Sequence, residues 1–95
     1  MKRIPKAFSL MGQRITVHVI HPRDWPHGED CLGIFEPSHN RIDIVKQPRA
    51  QLFVVFWHEV YHAMYFALSH KLYSNEQHID QMAGLQFQIQ ETAEY

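Results

Sequence analysis

The sequence predicts an α+β domain: a small antiparallel sheet of about three strands packed on two helices. Three observations carry this. Arg14 to His21 (RITVHVIH) and Asn40 to Lys46 alternate and are rich in β-branched residues, as strands with one buried face are. Arg49 to His70 contains no Gly or Pro, a run that suits a helix. A second helical stretch covers about Asn75 to Ala93. Residues 1–95 read as one domain, because 95 residues support one modest core.

The elements follow in order. Arg14 to His21 is the first strand. Pro22 to Asp30 is a loop, with Trp25 among turn residues closing one end of the core. Cys31 to Glu36 and Asn40 to Lys46 form a hairpin through Pro37-Ser38-His39-Asn40. In its second strand Ile42 and Ile44 face the core, and Arg41 and Asp43 face solvent. Gln47 and Pro48 alone join this strand to the first helix, with Pro48 at the first helical position, where its missing N–H costs nothing.

The first helix is apolar on nearly every side. From Ala50 to His70 its only charged residue, counting His as neutral, is Glu59. Such a helix belongs inside a protein. The second helix starts with Ser74 as cap and Gln77 completing a capping box. Gly84 within it costs about 1 kcal/mol relative to Ala; close approach of the two helices would account for it.

Hydrophobic content of 45% and charge of 20% are ordinary for a soluble globular domain. The net charge of −1 gives no basic field for nucleic acid. Lys2, Arg3 and Lys6 read as a solvated end. Cys31 is the only cysteine, which excludes an internal disulfide and a Cys-based structural zinc site. The N-terminal stretch lacks the apolar run of a signal peptide, and His58, Glu59 and His62 interrupt the apolar stretch from Leu52 to Leu68. The expected location is the cytoplasm, away from membranes.

The chemistry concentrates in His58-Glu59-Val60-Tyr61-His62, an H-E-x-x-H match. Residues four apart share a helix face, so His58 and His62 can offer two imidazole nitrogens to one ion. Glu59 lies about 100° around the helix, placed to reach a water on that ion without binding the metal. Two imidazoles and a carboxylate inside an apolar helix need partners, and a metal supplies one. Glu76, in the first turn of the second helix, is the candidate third ligand, favoured there by the helix dipole. Asp80 lies one turn further on the same face, placed to orient a ligand histidine. His18, His21, His27 and His39 are scattered and read as surface residues. His70, eight residues after His62, reads as a helix-end histidine. Leu68 stands where a metzincin would carry its third histidine.

An H-E-x-x-H helix, a short loop and N-E-x-x-x-D on a second helix resemble the gluzincin zinc metallopeptidases. The stretch Glu76-Gln77-His78-Ile79-Asp80-Gln81-Met82-Ala83 is also similar to the E-x-x-A-[N/D]-x-F-A stretch of ImmA/IrrE-type peptidase domains. Ile79 and Met82 replace the Ala and Phe of that pattern. The resemblance covers roughly Leu32 to Gln90. It implies one Zn2+ on His58, His62 and Glu76, with Glu59 as general base and Asp80 behind the ligands. It further implies an oxyanion-stabilising Tyr or His, for which Tyr73 is the first candidate and Tyr61 and His78 the others. Gly33, Ile34 and Phe35 would form the rim strand that holds an extended substrate.

The implied activity is zinc-dependent hydrolysis of a peptide or protein substrate by an endopeptidase. A second class of function is a zinc-holding binding module without cleavage. Leu85, Phe87 and Ile89 cannot all face one core, which leaves apolar surface for a partner or a homodimer. A third reading is an autoinhibited peptidase, with Glu91 to Tyr95 lying over the cleft.

Overall fold

The computed structural model describes residues 3–94 and shows an α+β fold. Its main elements are β1 (Ala7–Leu10), β2 (Gln13–Ile20), β3 (Gly33–Glu36), β4 (Arg41–Val45), α1 (Arg49–Ala67) and α2 (Glu76–Thr92). Short 3-10 turns at Pro22–Asp24, Pro37–His39 and Lys71–Ser74 connect them.

The sheet has four strands in the order β1-β2-β4-β3, one more than the three expected. It is mixed, because β4 runs parallel to β2, with Val17 beside Ile42 and Val19 beside Ile44. The two outer pairs are antiparallel. Burial explains the order. Ile42, Asp43, Ile44 and Val45 are all buried, so β4 needs cover on both faces and takes a central place. The β3–β4 hairpin therefore leaves β3 at the sheet edge. The added strand, β1, folds back through Met11 and Gly12, both in the left-handed region (φ +49° and +79°). A two-residue hairpin turn demands that geometry.

The outward face of β4 is not solvated as expected at Asp43, which is 3% exposed. Arg41 Nε donates to its carboxylate at 2.6 Å, and His27 Nε2 lies 2.9 Å from it. The loop after β2 thus covers the back of the sheet. His27 is part of that cover and not a free surface residue.

Pro48 precedes α1 as its cap, with extended ψ, and is not its first helical residue. The helix stops at Ala67, three residues before the expected end. Ser69 turns left-handed (φ +51°); its N–H reaches the Phe66 carbonyl and that of His70 reaches Tyr65. This is a Schellman closure with Ser in the usual glycine place. The start of α2 also differs. Ser74 belongs to the preceding 3-10 turn, so the cap is Asn75, whose side chain accepts from the His78 N–H at 3.0 Å.

One core lies between the sheet and α1, built on Ile15, Val17, Phe35, Ile42, Ile44, Phe56, Val60 and Ala63. Helix α2 runs antiparallel along α1. Arg49 pairs with Glu91 at one end and His58 with Asp80 nearer the other. Ile79 and Ala83 are fully buried, Trp57 donates to Gln90, and Tyr61 donates to Gln86. Each large apolar side chain so buried stabilises the fold by about 1.5–3 kcal/mol. Gly84 is not a point of close helix approach: a Cβ there would meet nothing within 4 Å. Gly33 is such a point. A Cβ there would lie 2.7 Å from Val55 Cγ1 and 3.2 Å from Glu59 Oε2, so only glycine lets β3 lie this close to α1. Among the described residues, no helix is long and apolar enough to cross a membrane.

Candidate active site

Helix periodicity puts His58 and His62 on the face of α1 that looks past the edge of β3, and the turn at Lys71–Ser74 brings the start of α2 against them. Glu76 Oε2 lies 2.8 Å from His58 Nε2, and Glu76 Oε1 lies 3.0 Å from His62 Nε2. The two Nε2 atoms are 3.2 Å apart. His58 and His62 are largely buried, whereas the Glu76 side chain is 65% exposed, so the site opens outward.

The outer ring nitrogens decide the chemistry of this cluster. His62 Nδ1 lies 2.7 Å from the main-chain carbonyl of Tyr73. A carbonyl only accepts, so this nitrogen carries the proton and Nε2 presents a lone pair. His58 Nδ1 lies 2.6 Å from Asp80 Oδ1, a carboxylate oxygen placed to accept from that ring nitrogen. With Nδ1 engaged on each ring, the two Nε2 atoms and the Glu76 carboxylate converge as a donor set that could hold a cation. Zinc fits. Bonds of about 2.05 Å to nitrogen imply ligand atoms about 3.3 Å apart in a tetrahedron, close to the separations here.

Glu59 is buried beside this cluster, with Oε2 4.0 Å from His58 Nε2, and its carboxylate is not among the ligand-type atoms that converge there. Burial pushes its carboxyl up to about 7. The nearby His58 and the Phe35 main-chain N–H hold it down, and Glu76 and Asp80 add to the rise.

The cluster lies in a cleft of about 630 Å³. The strand edge lines it with Gly33, Ile34 and Phe35, and Val54 and Val55 of α1 line it beside Gly33. The Leu32 carbonyl accepts from Val45 at 3.0 Å, so antiparallel alternation turns the main-chain groups of Gly33 and Phe35 away from β4, toward the open edge. The Gly33 carbonyl meanwhile accepts from the Cys31 thiol at 3.0 Å. Burial raises the Cys31 pKa, which keeps it a thiol and a donor.

The structure thus brings together His58, Glu59, His62, Glu76 and Asp80, with Gly33, Ile34, Phe35 and Tyr73 on the cleft. Tyr73 touches the site twice, through its carbonyl and through its ring, which lies edge-on to His62. Tyr61 and His78 do not line the cleft: Tyr61 bonds Gln86 between the helices, and His78 meets the Tyr65 hydroxyl at 2.8 Å. Nor do residues 91–94, and Tyr95 lies outside the described residues. Sequence reasoning missed the Tyr73 carbonyl, since a main-chain acceptor leaves no mark in residue type. It also missed Asp30 and Cys31, which line the cleft from the loop before β3. A second group of ligand type, His27, Glu36 and Asp43, lies behind the sheet, where Arg41 already occupies Asp43.

No family model, curated protein or solved structure matches this chain.

Proposed function

We propose that this chain is a minimal zinc-dependent endopeptidase of the gluzincin type, acting in the cytoplasm on a peptide or protein substrate. One observation carries the reading: His58, His62 and Glu76 converge with both Nδ1 atoms already engaged, and a buried carboxyl, Glu59, stands just outside ligand distance. A purely structural site needs no such group. The lone Cys31 is in keeping with a reducing compartment.

Bound zinc would polarise the scissile carbonyl and lower the pKa of a water. The chain's own residues do the rest. Asp80 and the Tyr73 carbonyl fix the imidazole tautomers. Glu59, titrating near neutrality in the metal-free protein, accepts the water proton and returns it to the leaving amine. The open edge of β3 holds the peptide in extended form through the Gly33 N–H and the Phe35 carbonyl, since Cys31 engages the Gly33 carbonyl and Glu59 the Phe35 N–H. Tyr73 is the candidate donor to the developing oxyanion.

The test is elemental analysis of the purified protein, then digestion of an unfolded protein with and without chelator. About one zinc per chain and chelator-sensitive cleavage are expected. A second reading, a zinc-holding binding module, draws on Leu85 and Ile89, one turn apart and exposed on α2, where a partner or second copy could dock. Zinc without any cleavage would favour it.

A further inference from the structure

An apolar groove lies beyond the far end of the cleft, between the β1–β2 turn and the end of α1. It is lined by Leu10, Met11, Phe35, Ala63, Phe66 and Ala67. Phe35 lines both the groove and the cleft. The rings of Phe35, Phe66, Tyr73 and His62 are in contact in that order, at centroid distances of 5.8, 5.6 and 5.5 Å. This aromatic wall stands between the cleft and the groove, so the groove lies next beyond it.

Two features mark it as more than a packing gap. Met11 is 74% exposed and held at φ +49°, a conformation that Asn or Gly adopts at less cost. A large apolar side chain is thus kept at a strained, solvent-facing position on the groove's lip. Phe66, 47% exposed, stands on its wall. Of the polar side chains on the groove, Asn40 Nδ2 donates to Gln13 Oε1 at 3.2 Å. Most of what faces the space is apolar. Its volume of about 150 Å³ matches that of apolar cavities able to take a benzene ring.

On the peptidase reading above, we infer that this groove is a substrate subsite for one large apolar side chain, Phe or Leu, on the stretch of peptide that leaves the cleft past Phe35. Its occupant is part of the substrate, because the groove adjoins the edge along which the substrate runs. It selects by KM, since it lies away from the reacting atoms.

Two measurements on the zinc-loaded full chain test this. In the first, N-acetyl-phenylalanine amide and N-acetyl-glutamine amide are titrated while the methyl resonances of Met11, Ala63 and Ala67 are followed. The Phe compound should shift them and the Gln compound should not, and Phe66→Gln should abolish the response. Equal responses to the two, or none, would overturn the subsite. In the second, peptides carrying Phe or Gln at successive positions around the cut are compared. One position should favour Phe about tenfold in KM at constant kcat, and Met11→Asn, which suits the left-handed backbone, should erase that preference. A preference that survives Met11→Asn, or its absence in the wild type, contradicts the inference. Amide binding without cleavage of any peptide would instead overturn the peptidase reading and, with it, the groove's role in substrate choice. Dimerisation through Met11 and Phe66, seen as a mass that halves in Met11→Asn, would give the groove to a second copy and contradict the proposal.

Discussion

His62 donates its Nδ1 proton to the main-chain carbonyl of Tyr73 across 2.7 Å. The bond ties α1 to the turn that delivers Glu76, so the connection between His62 and Glu76 is itself one of the contacts that orient them. Tyr73→Phe keeps this carbonyl and the ring against His62, and removes only the hydroxyl. Zinc content should be unchanged and kcat should fall by about 10²-fold if the hydroxyl meets the oxyanion. An unchanged kcat removes Tyr73 from the chemistry and leaves it a positioning residue.

Asp80 takes the outer nitrogen of the other histidine at 2.6 Å. Replacing it by Ala frees the His58 ring to turn and lowers its basicity. Zinc affinity, measured by competition with a chelator, should weaken by about 10–100-fold with the helical content intact. Affinity equal to the wild type would show that Asp80 does nothing for the metal.

Glu59 gives the metal-free protein a distinctive pH response. Its carboxyl is raised from 4.5 to about 7 by burial, so the folded state holds a proton that the unfolded state has released. Stability should therefore fall as pH rises from about 4.5 to 7, and then level off. Glu59→Gln removes this loss. Its advantage over the wild type should be absent near pH 4, grow through that window and reach about 3 kcal/mol above pH 7. Denaturant melts of the two metal-free proteins at pH 4 and pH 8 check this. Equal differences at both would mean that Glu59 is ionised freely in the fold.

Gly33 is where the rim strand meets the helix. An added Cβ would sit 2.7 Å from Val55 Cγ1, so Gly33→Ala must push β3 outward or shift Val55. Overpacking of this kind costs about 1–3 kcal/mol. The double variant Gly33→Ala/Val55→Ala should recover much of that loss. Thermal melts showing no cost for Gly33→Ala alone would mean that the strand does not press on α1.

Much of this site could be read from the chain because it lies on two helices. Helical spacing alone puts His58 beside His62 and Glu76 beside Asp80, and the absence of other charges from Ala50 to His70 singles out Glu59. The strand arrangement was less legible. Met11-Gly12 carries only half of the usual turn signal, so β1 went unseen. The central place of β4 depends on burial of Asp43, and residue type argues against that until Arg41 and His27 are seen to close around it. Helix ends missed by one to three residues for local reasons: a left-handed Ser69 in place of Gly, and a 3-10 turn that moves the cap from Ser74 to Asn75. Gly84 and Gly33 exchanged roles, since a glycine's neighbours across a fold are invisible in its own segment.

The central claim is that Glu59 works on a water held by the His58, His62 and Glu76 site without holding the metal itself. The most direct measurement compares wild type and Glu59→Gln, both loaded with zinc, for zinc content and for cleavage of an unfolded protein. Equal zinc, about one per chain, and a fall in kcat of about 10²–10⁴-fold in the variant are expected. Zinc lost together with activity would make Glu59 a ligand, and unchanged turnover in the variant would contradict the mechanism outright.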